Sequence, residues 1–137
     1  LERVNMSHQE MRSYKIHTGI ELELMICGKK PMSAFCRYID DSFDVTGGQP
    51  FEHYVNTGFL RKKIFYIKNI NLNKKLVYTA FSLINEEWRI GIYRSIKIIG
   101  QSFWSKDLEI IEGILLGYSM EENQEHIRLM FQDSGQS

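Results

Sequence analysis

The side chains able to carry acid, base, nucleophilic or metal chemistry are few and scattered in this 137-residue chain. Its histidines are His8, His17, His53 and His126, and no two stand at the i, i+4 spacing by which one helix face presents a metal to two imidazoles. No metal site is expected. Cys27 and Cys36 sit among apolar neighbours, in Met25-Ile26-Cys27 and Ala34-Phe35-Cys36, which reads as two small buried side chains in a reducing compartment. No histidine or basic residue is placed locally so as to depress the pKa of either thiol and make it a nucleophile.

Phosphate chemistry is no better supported. Thr46-Gly47-Gly48 lacks the following Lys-Ser/Thr of a phosphate-binding loop, and its glycines are accounted for by turn geometry. There is no Gly-x-Ser-x-Gly elbow, and no cofactor is expected. Glu21 and Glu23 would share a face on a strand, whereas on a helix they diverge by about 200°. A loop site built from Asp44, Glu52 and His53 is the remaining arrangement, because a histidine beside a carboxylate can act as a general base near neutral pH. No catalytic residue is assigned, and a non-enzymatic role is favoured over an enzyme.

The elements that would position these groups follow from punctuation and periodicity. Residues 1–5 read as upstream of a natural start at Met6, and Ser7 with Glu10 forms a capping box opening a short helix. The segment from Thr18 to Gly28 alternates like a strand at Ile20, Leu22, Leu24 and Ile26, yet Thr18 with Glu21 opens it and Gly28 with Pro31 closes it as a helix. Helix is preferred. Pro31 to Ile39 alternates as a strand, Asp40 to Pro50 is the longest loop, and Phe51 to Val55 makes a short helix.

Leu60 to Ile70 and Lys75 to Leu83, joined by a polar turn, predict a hairpin. Trp88 to Ile99 alternates again and is read as the third strand of a meander. Ser105 then caps a helix through Leu108, Ile111 and Leu115 that stops at Gly117, and Ser119 with Glu122 opens a last helix to about Phe131, before the polar tail 132–137. The expected fold is α+β: one domain over 6–131, with an antiparallel sheet of about four strands covered on one side by N- and C-terminal helices.

Charge carries more information than any motif. The 17 basic and 17 acidic residues cancel, which excludes a strongly basic nucleic-acid protein or an acidic solvating tail. Their distribution is uneven. From His53 to Asn85 there are six basic residues and no acid; from Asp107 to the end there are seven acids and one base. Segregation of this kind steers partners of opposite charge without requiring any special residue.

The function expected is therefore a small cytosolic protein-binding module, such as an inhibitor, an immunity-type antagonist or an adaptor. Its contacts would be Arg61, Lys62, Lys63, Lys68 and Trp88 on a basic sheet side, or Glu109, Glu112, Glu121 and Glu122 on an acidic helical side. One alternative is nucleic-acid binding, with Phe65, Tyr66, Tyr78, Phe81, Trp88 and Tyr93 stacking on bases. Another is a small hydrolase or transferase working in a cleft beside the Asp40 to Pro50 loop, with Asp44, His53 and Glu21 converging. No window has the roughly 18 apolar residues of a membrane span, so no membrane partner is expected. Self-association stays open, through an uncovered sheet face or the C-terminal helices.

Overall fold

The computed structural model describes residues 17–131. The capping box at Ser7 and Glu10, His8, the first five residues and the tail after Phe131 lie outside them. The order of elements is α1 (Glu21–Ile26), β1 (Met32–Tyr38), α2 (Phe51–Asn56), β2 (Leu60–Asn69), β3 (Lys74–Leu83), α3 (Trp88–Gly100), α4 (Lys106–Leu115) and α5 (Met120–Phe131). Helices and an antiparallel sheet make this an α+β protein. The sheet has three strands in the order β1-β3-β2, where about four were expected.

The difference is Trp88 to Ile99, which forms most of helix α3 instead of a strand of a meander. Ile90, Tyr93 and Ile96, three apart, are buried against the sheet, while Trp88, Ile92 and Ile99 are exposed. Two periodicities coexist in the segment, and the helical one puts the residues at i, i+3 on the core. The β2–β3 hairpin forms as expected, and β1 joins the sheet by pairing with β3, Met32 opposite Ser82 through to Tyr38 opposite Leu76.

Helices cover parts of both sheet faces, not one. The face bearing Met32, Ala34, Phe65, Ile67, Tyr78 and Ala80 packs on Ile90, Tyr93 and Ile96 of α3 and on Leu115, Leu116 and Tyr118. On the opposite face Phe35, Leu60 and Phe81 pack on Leu22 and Met25 of α1 and Phe51 of α2. Those two helices are only six residues each, too short to be stable alone, and are held by this burial.

Helix α1 confirms the preference for helix over strand, with Gly28 in the left-handed conformation at φ 75° just beyond its end. Its start differs from the expected box. Ile20 is the cap residue without a side-chain bond, and the Glu21 carboxylate accepts from the Gly19 N–H (3.0 Å) and the Gln49 amide (2.8 Å). Ser105 caps α4 by accepting from the Leu108 N–H, and Ser119 and Glu122 form a reciprocal capping box at α5.

The C-terminus of α4 is capped by cations from elsewhere in the chain. The Lys30 ammonium, fully buried, donates to the Leu116 carbonyl, and the Arg89 guanidinium donates to those of Ile114 and Leu115. Positive charge there answers the negative end of the helix. Gly117 makes the approach possible: its φ is 90°, and a Cβ would sit 2.6 Å from the Pro31 ring.

Candidate interaction surface

The two helical layers leave half of one sheet face open. On the α1 and α2 side, cover ends near Phe81 and Phe35; beyond them, toward the hairpin turn, Ile64, Tyr66 and Lys68 of β2 and Lys75 of β3 are exposed, with Thr79 half-buried and Val77 buried among them. Tyr66 is 55% exposed and Ile64 47%. Large apolar side chains adjoining on a strand and left to water mark an interaction site more often than scattered single ones do.

The register fixes the charges around them. Lys62, Ile64, Tyr66 and Lys68 alternate along one face of β2, and Lys68 stands directly opposite Lys75. Like charges directly opposite repel across a ladder. Both are exposed, and no carboxylate among the described residues pairs with either. Lys62, at the covered end, is paired with Glu52 of α2.

The basic residues expected to act together are thus divided. Lys62 and Lys68 share the open face; Arg61 and Lys63 project from the opposite face of β2, with Arg61 3.4 Å from the Glu87 carboxylate. Trp88 lies in the first turn of α3 with the Arg89 guanidinium over its ring at 4.6 Å. Of the aromatics considered for base stacking, Phe65, Tyr78, Phe81 and Tyr93 are buried in the cores, which leaves Tyr66 and Trp88 on different elements. No stacking platform is assembled from them.

Two of the four acidic candidates are internal. Glu109 is buried and accepts from the Trp104 indole N–H (2.8 Å) and from His126 Nε2 (2.7 Å), tying the α3–α4 loop and α5 to α4. Glu112 is buried and paired with Lys97, whose ammonium also lies over the rings of Tyr93 and Trp104. Glu122 belongs to the α5 capping box, and Glu121 is exposed.

A cleft of about 300 Å³ does lie between the long loop and the sheet, lined by Asp44, Thr46, Gln49, Glu52, Lys62 and Thr79 among others. Glu21 and His53 are not part of its wall. Glu21 is buried under Gln49, while His53 is exposed on α2, edge-on to Tyr54. Cys27 is exposed rather than buried, and Cys36 is half-buried opposite Tyr78. Burial, and then Cys36 beside it, push the Tyr78 phenol well above its ordinary range, so it stays neutral. Among the described residues no three His, Cys, Asp or Glu side chains are grouped to hold a metal ion.

The chain matches no family model, no curated protein and no solved structure. No helix among the described residues is long and apolar enough to cross a membrane.

Asp44 organises the loop wall of the cleft. Its carboxylate accepts from the Thr46 hydroxyl (2.7 Å), the Thr46 amide (2.9 Å) and the Gly48 amide (3.1 Å). These bonds, the Thr46 hydroxyl foremost, hold its pKa below the ordinary carboxylate value. A depressed folded value means that the loop's support is present above the unfolded value of about 3.9 and is lost as pH falls through the folded one. In an NMR titration the Thr46 and Gly48 amides should therefore shift with a midpoint below about 3.9. Thr46→Ala should raise that midpoint, and an unchanged one would refute the assignment.

Proposed function

We propose that this chain is a protein-binding module whose contact surface is the open half of the sheet, with Tyr66 and Ile64 as apolar anchors and Lys62, Lys68 and Lys75 as a basic surround. The observation that carries the reading is the pairing of exposed Ile64 and Tyr66 with two opposed lysines that no described carboxylate neutralises. An acidic partner would relieve the repulsion between Lys68 and Lys75 and cover both apolar side chains. Tyrosine is a favoured interface anchor, since it brings a large contact area at little entropic cost. An inhibitor, immunity-type antagonist or adaptor is a role that such a surface would serve.

Cross-linking and affinity capture from the native organism test it, with nuclease present. The partner recovered by the unaltered protein should bind Tyr66→Ala more weakly by about 2 kcal/mol, near thirtyfold. Lys68→Glu with Lys75→Glu should abolish recovery, while Glu121→Lys on α5 leaves it intact. Loss with Glu121→Lys instead would move the contact to the helical side. Recovery that disappears on nuclease treatment would replace the protein partner by a nucleic acid.

A further inference from the structure

The open face adjoins an open edge. Strand β2 is the last strand of the sheet, with β3 on one side and no strand among the described residues on the other. Arg61, Lys62, Lys63 and Ile64 are four consecutive exposed residues, which spans both faces of the strand. No strand among the described residues takes up the outward backbone groups of this stretch. At the other margin of the sheet, Met32 to Phe35 of β1 are all buried.

The edge is also regular. Pairing with β3 runs unbroken from Leu60 opposite Leu83 to Asn69 opposite Lys74, so no bulge twists the strand away from a newcomer. Alternate residues of such a strand direct their N–H and C=O groups outward, ready to extend the ladder.

Resting on the binding reading above, we infer that the partner is taken as an added strand: an acidic extended segment that pairs along β2. Charge selects the occupant. The strand carries Arg61, Lys62, Lys63 and Lys68 and no acid, so a second copy pairing edge to edge would set a basic strand against a basic strand. The same lysines that prevent self-pairing favour carboxylates across the new ladder. Carboxylates already reach this strand from both sides, Glu52 at Lys62 and Glu87 at Arg61. Lys63 and Lys68, with no carboxylate paired to either among the described residues, remain for the incoming chain. On the Tyr66 face an apolar side chain of the added strand would lie beside Ile64 and Tyr66, continuous with the proposed contact surface.

The test uses a short acetylated peptide alternating glutamate and valine, titrated into the isotope-labelled protein at low salt. Alternate β2 amides should become protected from hydrogen exchange by tenfold or more. Methylating the backbone nitrogens of the peptide at every valine, or in a second peptide at every glutamate, removes one set of alternate donors each time. One methylated peptide should lose binding by more than tenfold and the other should retain it, because only one set faces β2. Equal binding by both would overturn strand addition while leaving recognition of an acidic partner standing. No binding at low salt, or equal binding of a lysine–valine peptide, would overturn it as well. In either case the dependence of the captured partner on Tyr66 and Lys68 decides the parent reading separately.

Discussion

Phe81→Ala is expected to destabilise the fold by about 3–5 kcal/mol, a large share of the roughly 5–15 kcal/mol that holds a domain of this size together. Phe81 is 1% exposed, stacked on Phe51 at 4.2 Å and edge-on to Phe35 at 6.2 Å. Those rings join β3 to α2 and to β1, so truncation opens a cavity that backbone on three elements would have to collapse. Tyr66→Ala, on the same sheet face, should change stability by less than about 0.5 kcal/mol because that ring is already wet. Urea unfolding with an unchanged slope would measure both. The pair of values locates the boundary between covered and open sheet, on which the proposed surface depends. A Phe81→Ala loss below about 1 kcal/mol, or a comparable loss for Tyr66→Ala, would mean that the boundary lies elsewhere.

The readable parts of this fold are those whose signal is local. The hairpin was legible because both strands are dense in β-branched and aromatic residues and the turn between them carries Asn71 and Asn73; Asn73 adopts a left-handed conformation there, at φ 51°. Ser105 and Gly117 bracket α4 for equally local reasons. The segment from Trp88 to Ile99 was not legible, because isoleucine, tyrosine and tryptophan favour strands intrinsically and its alternation is real. Burial of Ile90, Tyr93 and Ile96 against a sheet already complete with three strands overrides that preference. The second covered face was invisible too, since six-residue helices carry too few positions to show a period.

The surface shows the same division. Counting charge over a long span found the basic strand but merged its two faces. Reading β2 with the strand period separates Lys62, Ile64, Tyr66 and Lys68 on one face from Arg61, Lys63, Phe65 and Ile67 on the other. That Ile67 and Phe65 are buried while Ile64 and Tyr66 are not depends on where α1, α2 and α3 pack, which no period in β2 encodes. Burial of Glu109 and Glu112 was equally beyond the sequence. Their partners, His126 and Lys97, lie on other helices, and only folding brings a cation or a donor beside each.

Glu109 provides the sharpest separation between a docking role and a structural one. Glu109→Ala should destabilise the protein by about 3 kcal/mol or more, because a buried carboxylate that joins two donors is removed and the Trp104 and His126 nitrogens lose its acceptor. Glu109→Gln retains an acceptor oxygen but brings an NH₂ group toward a donor, so its loss should be smaller, about 1–3 kcal/mol. Trp104 fluorescence should change in both variants, since its indole N–H reports directly on the carboxylate. Glu121→Lys, on the exposed face of α5, should leave unfolding and fluorescence unchanged. If Glu109 instead served a partner, Glu109→Ala would weaken capture with an unaltered unfolding midpoint. Burial predicts the reverse: a shifted midpoint, and capture that returns at full affinity once the variant is kept folded at lower temperature. Such recovery would assign Glu109 to holding α5 and the α3–α4 loop in place, and leave recognition to the lysines of β2 and β3.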